Sequence, residues 1–165
     1  MANKDYTWDA SEFFKDLTER NRLAKDNGFV FCRVSGLDGF EEALVNMQNS
    51  QAFVCVSELS QGYTSLSPSP RTRMVKTVFI ALRHPVDDMQ RRQACFDTLR
   101  ELFRQFMTVL IKEKTALEEH YLYVDPRISF NEMEEYFFSG CACAFFSIAI
   151  DKMTDLCYDS DEWEE

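Results

Sequence analysis

The stretch EYFFSGCACAFFSIAI, residues 135–150, decides how this chain is read. It carries no charge after Glu135, and the small residues Ser139 to Ala144 sit at its centre between aromatic pairs. A strand with one wet face alternates apolar and polar side chains, whereas a strand covered on both faces reads as a nearly continuous apolar run. Residues 135–150 are of the second kind. The cover for such a strand lies upstream, where Cys95, Phe96, Leu99, Leu102, Phe103, Phe106, Val109 and Leu110 recur at three- and four-residue spacing. Arg91, Arg92, Arg100, Glu101 and Arg104 occupy much of the remainder. That is one apolar stripe on a long amphipathic helix. Asp87 is a good N-cap for it, with Gln90 completing a capping-box pattern, and the periodicity carries it to Lys114 or Leu117.

Further upstream, residues 8–26 read as a helix with Phe13, Phe14, Leu17 and Leu23 near one stripe. Ser11 or Asp9 can cap it, and Gly28 suits its C-terminal end. Phe29 to Val34 and Ala52 to Val56 read as strands, separated by a turn at Gly36 and Asp38-Gly39 and a short helix from Phe40 to Met47 with Phe40, Leu44 and Met47 inward. Residues 58–72, with Gly62, Pro68, Pro70 and four serines, read as a long loop of the kind that often binds or closes over something. Met74 to Arg83 is a central strand, because Val75, Phe79 and Ala81 line one face and Val78, Ile80 and Leu82 the other. Past the long helix, Tyr121 to Val124 is a short strand or an extended exit, and Ile128 and Phe130 begin another extended piece. The order predicts an α+β fold: a mostly antiparallel sheet packed on one face by the long helix plus the N-terminal helix. Residues 1–150 form one domain, followed by an acidic C-terminal tail over 151–165.

Composition bounds what such a domain does. The chain has 165 residues, 14% of them aromatic, which is enough for one substantial core. Its net charge is −10, and the last fifteen residues hold seven acidic side chains against one lysine. That balance argues against direct nucleic-acid binding, which needs a basic surface. No apolar run is long enough for a membrane span, and MANKDYTWDASEFF lacks the apolar core of a signal peptide, so the expected place of synthesis and residence is the cytoplasm. The six cysteines are then expected as reduced, buried thiols.

Catalytic patterns are sparse. Cys141 and Cys143 share a face of a strand, and with Cys157 and His120 would make a thiolate–imidazole metal set, but two ligands on one strand without a C-x-x-C knuckle is poor metal spacing. His84, Asp87 and a cysteine would make a nucleophilic set, but no turn signature supports it. The expectation is no enzyme, no cofactor and no metal. Two segments read instead as interaction surfaces. One is the loop 58–72 with Tyr63 and its basic edge, Arg71, Arg73 and Lys76; the other is the acidic tail with Tyr158 and Trp163. Their charges are opposite, so copies of the chain could join head to tail, and such contacts close into rings when the rotation permits. A tryptophan among acids is best explained by docking onto something.

The helix DASEFFKDLTERNRLA, the strand FVFCRV, the segment 58–72, the strand MVKTVFIALR, the long helix after His84-Pro85 and the closing FFSIAI with DLCYD beyond follow an order that resembles the tail-terminator, or tail-completion, family of long-tailed bacteriophages and related neck proteins. The acidic tail and residues 115–134 lie outside that pattern. The resemblance implies a virion structural protein that forms a ring, a hexamer by analogy, on the head-proximal end of the tail tube. It implies tail-tube and connector proteins as partners, a place in the virion neck, and no membrane. The alternative is a small cytoplasmic adaptor that binds one protein through 58–72 or the acidic tail.

Overall fold

The computed structural model describes residues 6–46, 49–85, 87–133 and 140–164. Helix α1 (Ala10–Arg20) starts at Asp9, whose carboxylate accepts the Ser11 N–H at 2.7 Å. Ser11 itself is buried inside the first turn. The single helix expected over 8–26 is two helices, because Asn21 takes an extended backbone and caps α2 (Arg22–Asp26), accepting the Ala24 N–H at 2.8 Å. An asparagine side chain competes with the helical backbone for its donors, and here the Asn21 amide also donates to Gln105 at 2.8 Å. Gly28, at φ +70°, reverses the chain into β1 (Phe29–Val34).

Helix α3 (Leu37–Asn46) buries Phe40 and Leu44; Met47, the third residue expected inward, lies outside the described residues. Strand β2 (Ala52–Ser57) is buried along its whole length. Residues 58–72 are not a loop. They contain β3 (Gln61–Ser65), which forms a hairpin with the start of β4 (Arg71–Arg83) across a turn that holds a cis Ser67–Pro68 bond. Gly62 has a structural reason to be glycine: a Cβ there would stand 1.8 Å from the Arg73 carbonyl oxygen. A residue that signals a turn in sequence is here a residue that lets two backbones approach.

Helix α4 (Met89–Glu119) begins one residue later than expected. The Asp88 N–H closes a turn onto the Pro85 carbonyl at 3.2 Å, and the Asp88 carboxylate accepts the Arg91 N–H at 2.9 Å. Asp87 is therefore not the cap, Gln90 falls at the second helical position, and the capping box does not form. At the other end the helix continues past the fully buried Leu117 and stops at His120, where Tyr121 turns the chain at φ 62°. Three strands follow: β5 (Leu122–Val124), β6 (Phe130–Glu132) and β7 (Cys141–Met153). Residues 135–139 of the expected aromatic strand lie outside the described residues. At its far end β7 runs past Ile150 through Asp151–Met153, so these three residues of the acidic segment are sheet.

The sheet has seven strands in the order β1-β2-β4-β7-β5, with β3 also on β4 and β6 also on β7. Strands β1 and β2 are parallel, joined through α3, and every other pair is antiparallel. The fold is α+β, as expected, with α1 and α4 on one face. Val78, Ile80 and Leu82 of β4 and Ala142, Ala144, Phe146 and Ile148 of β7 meet Phe14, Leu99, Leu102, Phe106 and Leu110 there. Phe146 lies under two aromatic rings, Phe103 at 5.0 Å and Phe14 at 5.5 Å. The opposite face is covered too, by α3 and Met133 among the described residues: Phe40 and Leu44 pack on Phe53, Cys55, Phe79, Ala81, Cys141 and Cys143. This is why Cys141 to Ala144 is small and apolar on both sides.

Replacing Phe146 with alanine leaves a cavity at the centre of the main core. The Phe146→Ala variant is expected to lose about 3–5 kcal/mol of unfolding free energy in a urea titration. Val45→Ala, at a position 63% exposed on α3, is expected to change it by no more than about 0.5 kcal/mol.

Candidate functional site

On the face of α3 helical cover ends before the strands do; on the other face α4 still packs on β5, burying Leu122 and Val124. The first half of β4, the second half of β7, β3 and β5 form a distal end of the sheet whose two faces differ. On the face continuous with that of α3, Tyr63, Arg73, Asp151 and Tyr123 stand side by side across four strands, as the register places them: Tyr63 opposite Arg73, Arg73 opposite Asp151, and Asp151 opposite Tyr123. Arg73 holds both Asp151 oxygens, at 2.9 and 3.0 Å, and donates to Asp125 at 2.9 Å. These charge-assisted bonds hold the guanidinium further above its ordinary range. The Asp125 carboxyl is held below its ordinary value, first by the Arg127 N–H and then by Arg73. Arg71 lies over the Tyr123 ring at 5.7 Å, and Arg73 stands 6.0 Å from the centre of Tyr63.

On the face continuous with that of α1 and α4, a hollow of about 430 Å³ opens between residues 6–10 and the strands. Trp8, Met74, Leu122, Ile148 and Ile150 make its apolar wall, and Lys76 and Lys152 stand among the lining residues. The buried Trp8 indole N–H has no acceptor among the described residues. Lys76 donates to the Glu58 carbonyl oxygen, and neither lysine makes an ion pair among the described residues.

The structure therefore divides the residues singled out from the sequence. Tyr63, Arg71 and Arg73 are brought together on one face; Lys76 is on the other. The basic edge is less free than its sequence suggests, because Arg73 is neutralised from within the chain. Tyr158 and Trp163 lie in the segment after β7, stacked on each other at 6.3 Å and both well exposed. Trp8, Tyr123, Asp125, Asp151 and Lys152 were not legible as partners of these residues. The signal that could have found some of them is strand alternation continued from Ala81 back to Arg71, which puts Arg71 and Arg73 on one face and Met74 and Lys76 on the other.

Cys141 and Cys143 do share a face, and their mutual hydrogen bond, with the Arg83 guanidinium nearby, lowers the Cys141 thiol to about 7 while the Cys143 thiol is pushed up. Both are buried, and Cys157 is exposed on the acidic segment. His120 stacks on Tyr6 at 3.9 Å. His84 is buried, with Nδ1 2.8 Å from the Pro85 carbonyl oxygen. The two histidines flank opposite ends of α4, which at 31 residues is about 45 Å long. Among the described residues no three His, Cys, Asp or Glu side chains converge in a way that could hold a metal ion. No described helix is long and apolar enough to cross a membrane. Compared with known proteins, the chain matches no protein-family model and no curated protein.

Two measurements probe the distal end. Gly62→Ala is expected to detach β3: amides of 61–65 and their partners in 71–75 lose protection from hydrogen exchange, while 78–82, paired with β2, keep theirs. Acid is expected to loosen the same end. A carboxyl whose folded pKa is depressed stabilises the fold above its unfolded pKa, and that contribution is lost as pH falls through the folded value. Stability should therefore drop below about pH 4, and Arg73→Gln should flatten part of the drop by removing one of the groups that hold the Asp125 carboxyl down, the Arg127 N–H remaining.

Proposed function

We propose that this chain is a non-catalytic assembly protein, which joins copies of itself and partner proteins through the distal end of its sheet. The observation that carries this reading is the state of β3. It is an edge strand, its sequence QGYTS has no charge and no proline, and it is almost wholly exposed. Soluble proteins usually protect such edges with lysine, proline or a covering element, because unpaired N–H and C=O groups recruit another strand. Large apolar side chains are left exposed around it: Leu59, Tyr63, Leu66, Met74, Tyr123 and Met153. A surface of this composition favours a protein partner.

In the terms of the tail-terminator resemblance, the helix-backed slab builds the wall of a ring, a hexamer by analogy. The distal end reaches a neighbouring subunit or the tail tube, and the ring ends tube growth and meets the head connector. The net charge of −10 suits protein partners better than a phosphate backbone. A second reading, a small adaptor for one protein, is favoured by the exposure of Leu156, Tyr158 and Trp163 on the segment after β7.

Sedimentation velocity across a wide concentration range tests the assembly reading. The expected result is a mass that rises with concentration, and a Tyr63→Asp variant whose rise is displaced to higher concentration. A chain that stays a strict monomer, alone and with tail-tube protein, removes the reading; a single complex with one partner at fixed stoichiometry selects the adaptor.

A further inference from the structure

We propose that the hollow beside Trp8 is the docking site for the acidic segment 155–164 of a second copy of this chain, with Trp163 seated in it. The inference rests on the assembly reading and names its contact. Three observations converge on it. First, the hollow and the segment are chemically complementary. The hollow is an apolar wall of Trp8, Met74 and Ile150 with two lysines, Lys76 and Lys152, that make no ion pair among the described residues, against one carboxylate, Asp9, which is engaged in capping α1. The segment carries Leu156, Tyr158 and Trp163 among Asp155, Asp159, Asp161, Glu162 and Glu164. An aromatic anchor entering an apolar pocket, with opposite charges around it, is how small interfaces gain both affinity and register.

Second, size fits. A volume of about 430 Å³ lies within the range of pockets that enclose a small ligand, about 300–1,000 Å³, and so admits an indole with part of its backbone.

Third, the chain leaves both halves of the contact open. The Thr154 N–H bonds the Pro70 carbonyl at 3.1 Å, and beyond it the segment carries Trp163 64% exposed and outside the lining of the hollow. A copy thus presents the hollow and an exposed anchor on two different parts of its surface. Such a contact is heterologous: each copy gives its segment to one neighbour and receives another's, which builds a ring when the rotation closes.

The test uses the full chain and two exposed positions, so that neither variant is expected to unfold. Met74→Glu places a negative charge in the hollow; Trp163→Ala removes the anchor. Each alone is expected to weaken self-association at least about 30-fold in sedimentation velocity, the scale of losing a central anchor. Mixed in equal amounts, the two variants are expected to form a heterodimer that grows no further, since one retains only the segment and the other only the hollow. Raising salt from about 0.1 M to about 1 M, which shortens the screening length from about 10 to about 3 Å, should weaken the wild-type contact. Wild-type oligomers that persist unchanged in Trp163→Ala overturn the inference and leave the assembly reading standing on another surface. A monomeric wild type, with a synthetic 155–164 peptide binding Trp163→Ala but not Met74→Glu, shows the segment folding back within one chain. That result overturns the second-copy occupant and the assembly reading together. Decanoate binding in the hollow, with the wild-type mass unchanged, assigns it to a small apolar anion and overturns the inference.

Discussion

The structure depends on the pairing of β4 with β7. The two strands run antiparallel over thirteen residues each, from Arg71 opposite Met153 to Arg83 opposite Cys141. Everything else is attached to this spine: β2 and β3 on one edge of β4, β5 and β6 on the other edge of β7. Because side chains alternate along a strand, this one register sends Val78, Ile80, Ala144 and Phe146 toward α4 and α1, and Phe79, Ala81 and Cys143 toward α3. A slip of one residue would exchange the two sets and place phenylalanines where alanines now let the helices approach.

Helices cover only part of this length. Over residues 78–82 and 142–146 the spine is covered on both sides, Phe145 only in part, and there the side chains are apolar without exception. Beyond Thr77 and Ser147 the cover runs out on the face of α3 and thins on the other, where Ile148, Leu122 and Val124 are still buried, and the composition changes with it. Arg73 and Asp151 replace core residues on one face, and Lys76 and Lys152 stand beside Ile148 and Ile150 on the other. The paired charges hold the strands together on the face that no helix covers, and several large apolar residues there and on the other face, Tyr63, Met74 and Tyr123 among them, are left exposed. One continuous strand pair thus serves as the core at one end and as exposed surface at the other.

The cysteines follow the same logic. Cys55, Cys141 and Cys143 lie buried beneath α3, and Cys95 lies in the core under α4. Cys32 and Cys55 face each other across β1 and β2 with sulfurs 2.6 Å apart. Small, weakly polar side chains suit the thin space between a short helix and a sheet, where a leucine would force the layers apart.

Local chemistry was enough for much of this protein. The long helix was legible in its apolar stripe, β1 and β2 in their runs of strand formers, and the α+β class in the order of the elements, because each of these signals is repeated over many residues. The candidate surface was legible only in outline. Tyr63, Arg73, Tyr158 and Trp163 stand out by their type, but nothing in sequence pairs Arg73 with Asp125 and Asp151, which are 52 and 78 positions away. The break at Asn21 and the shift of the cap from Asp87 to Asp88 turn on single hydrogen bonds among equivalent neighbours. Gly62 shows the limit most clearly. Its local preference points to a turn, yet it lies in a strand, because the backbone of β4 passes too close for any side chain. Periodicity determines which faces of each element are apolar; where those faces end, what they leave uncovered and which charges meet there are decided by strand register, which exists only once distant segments have come together.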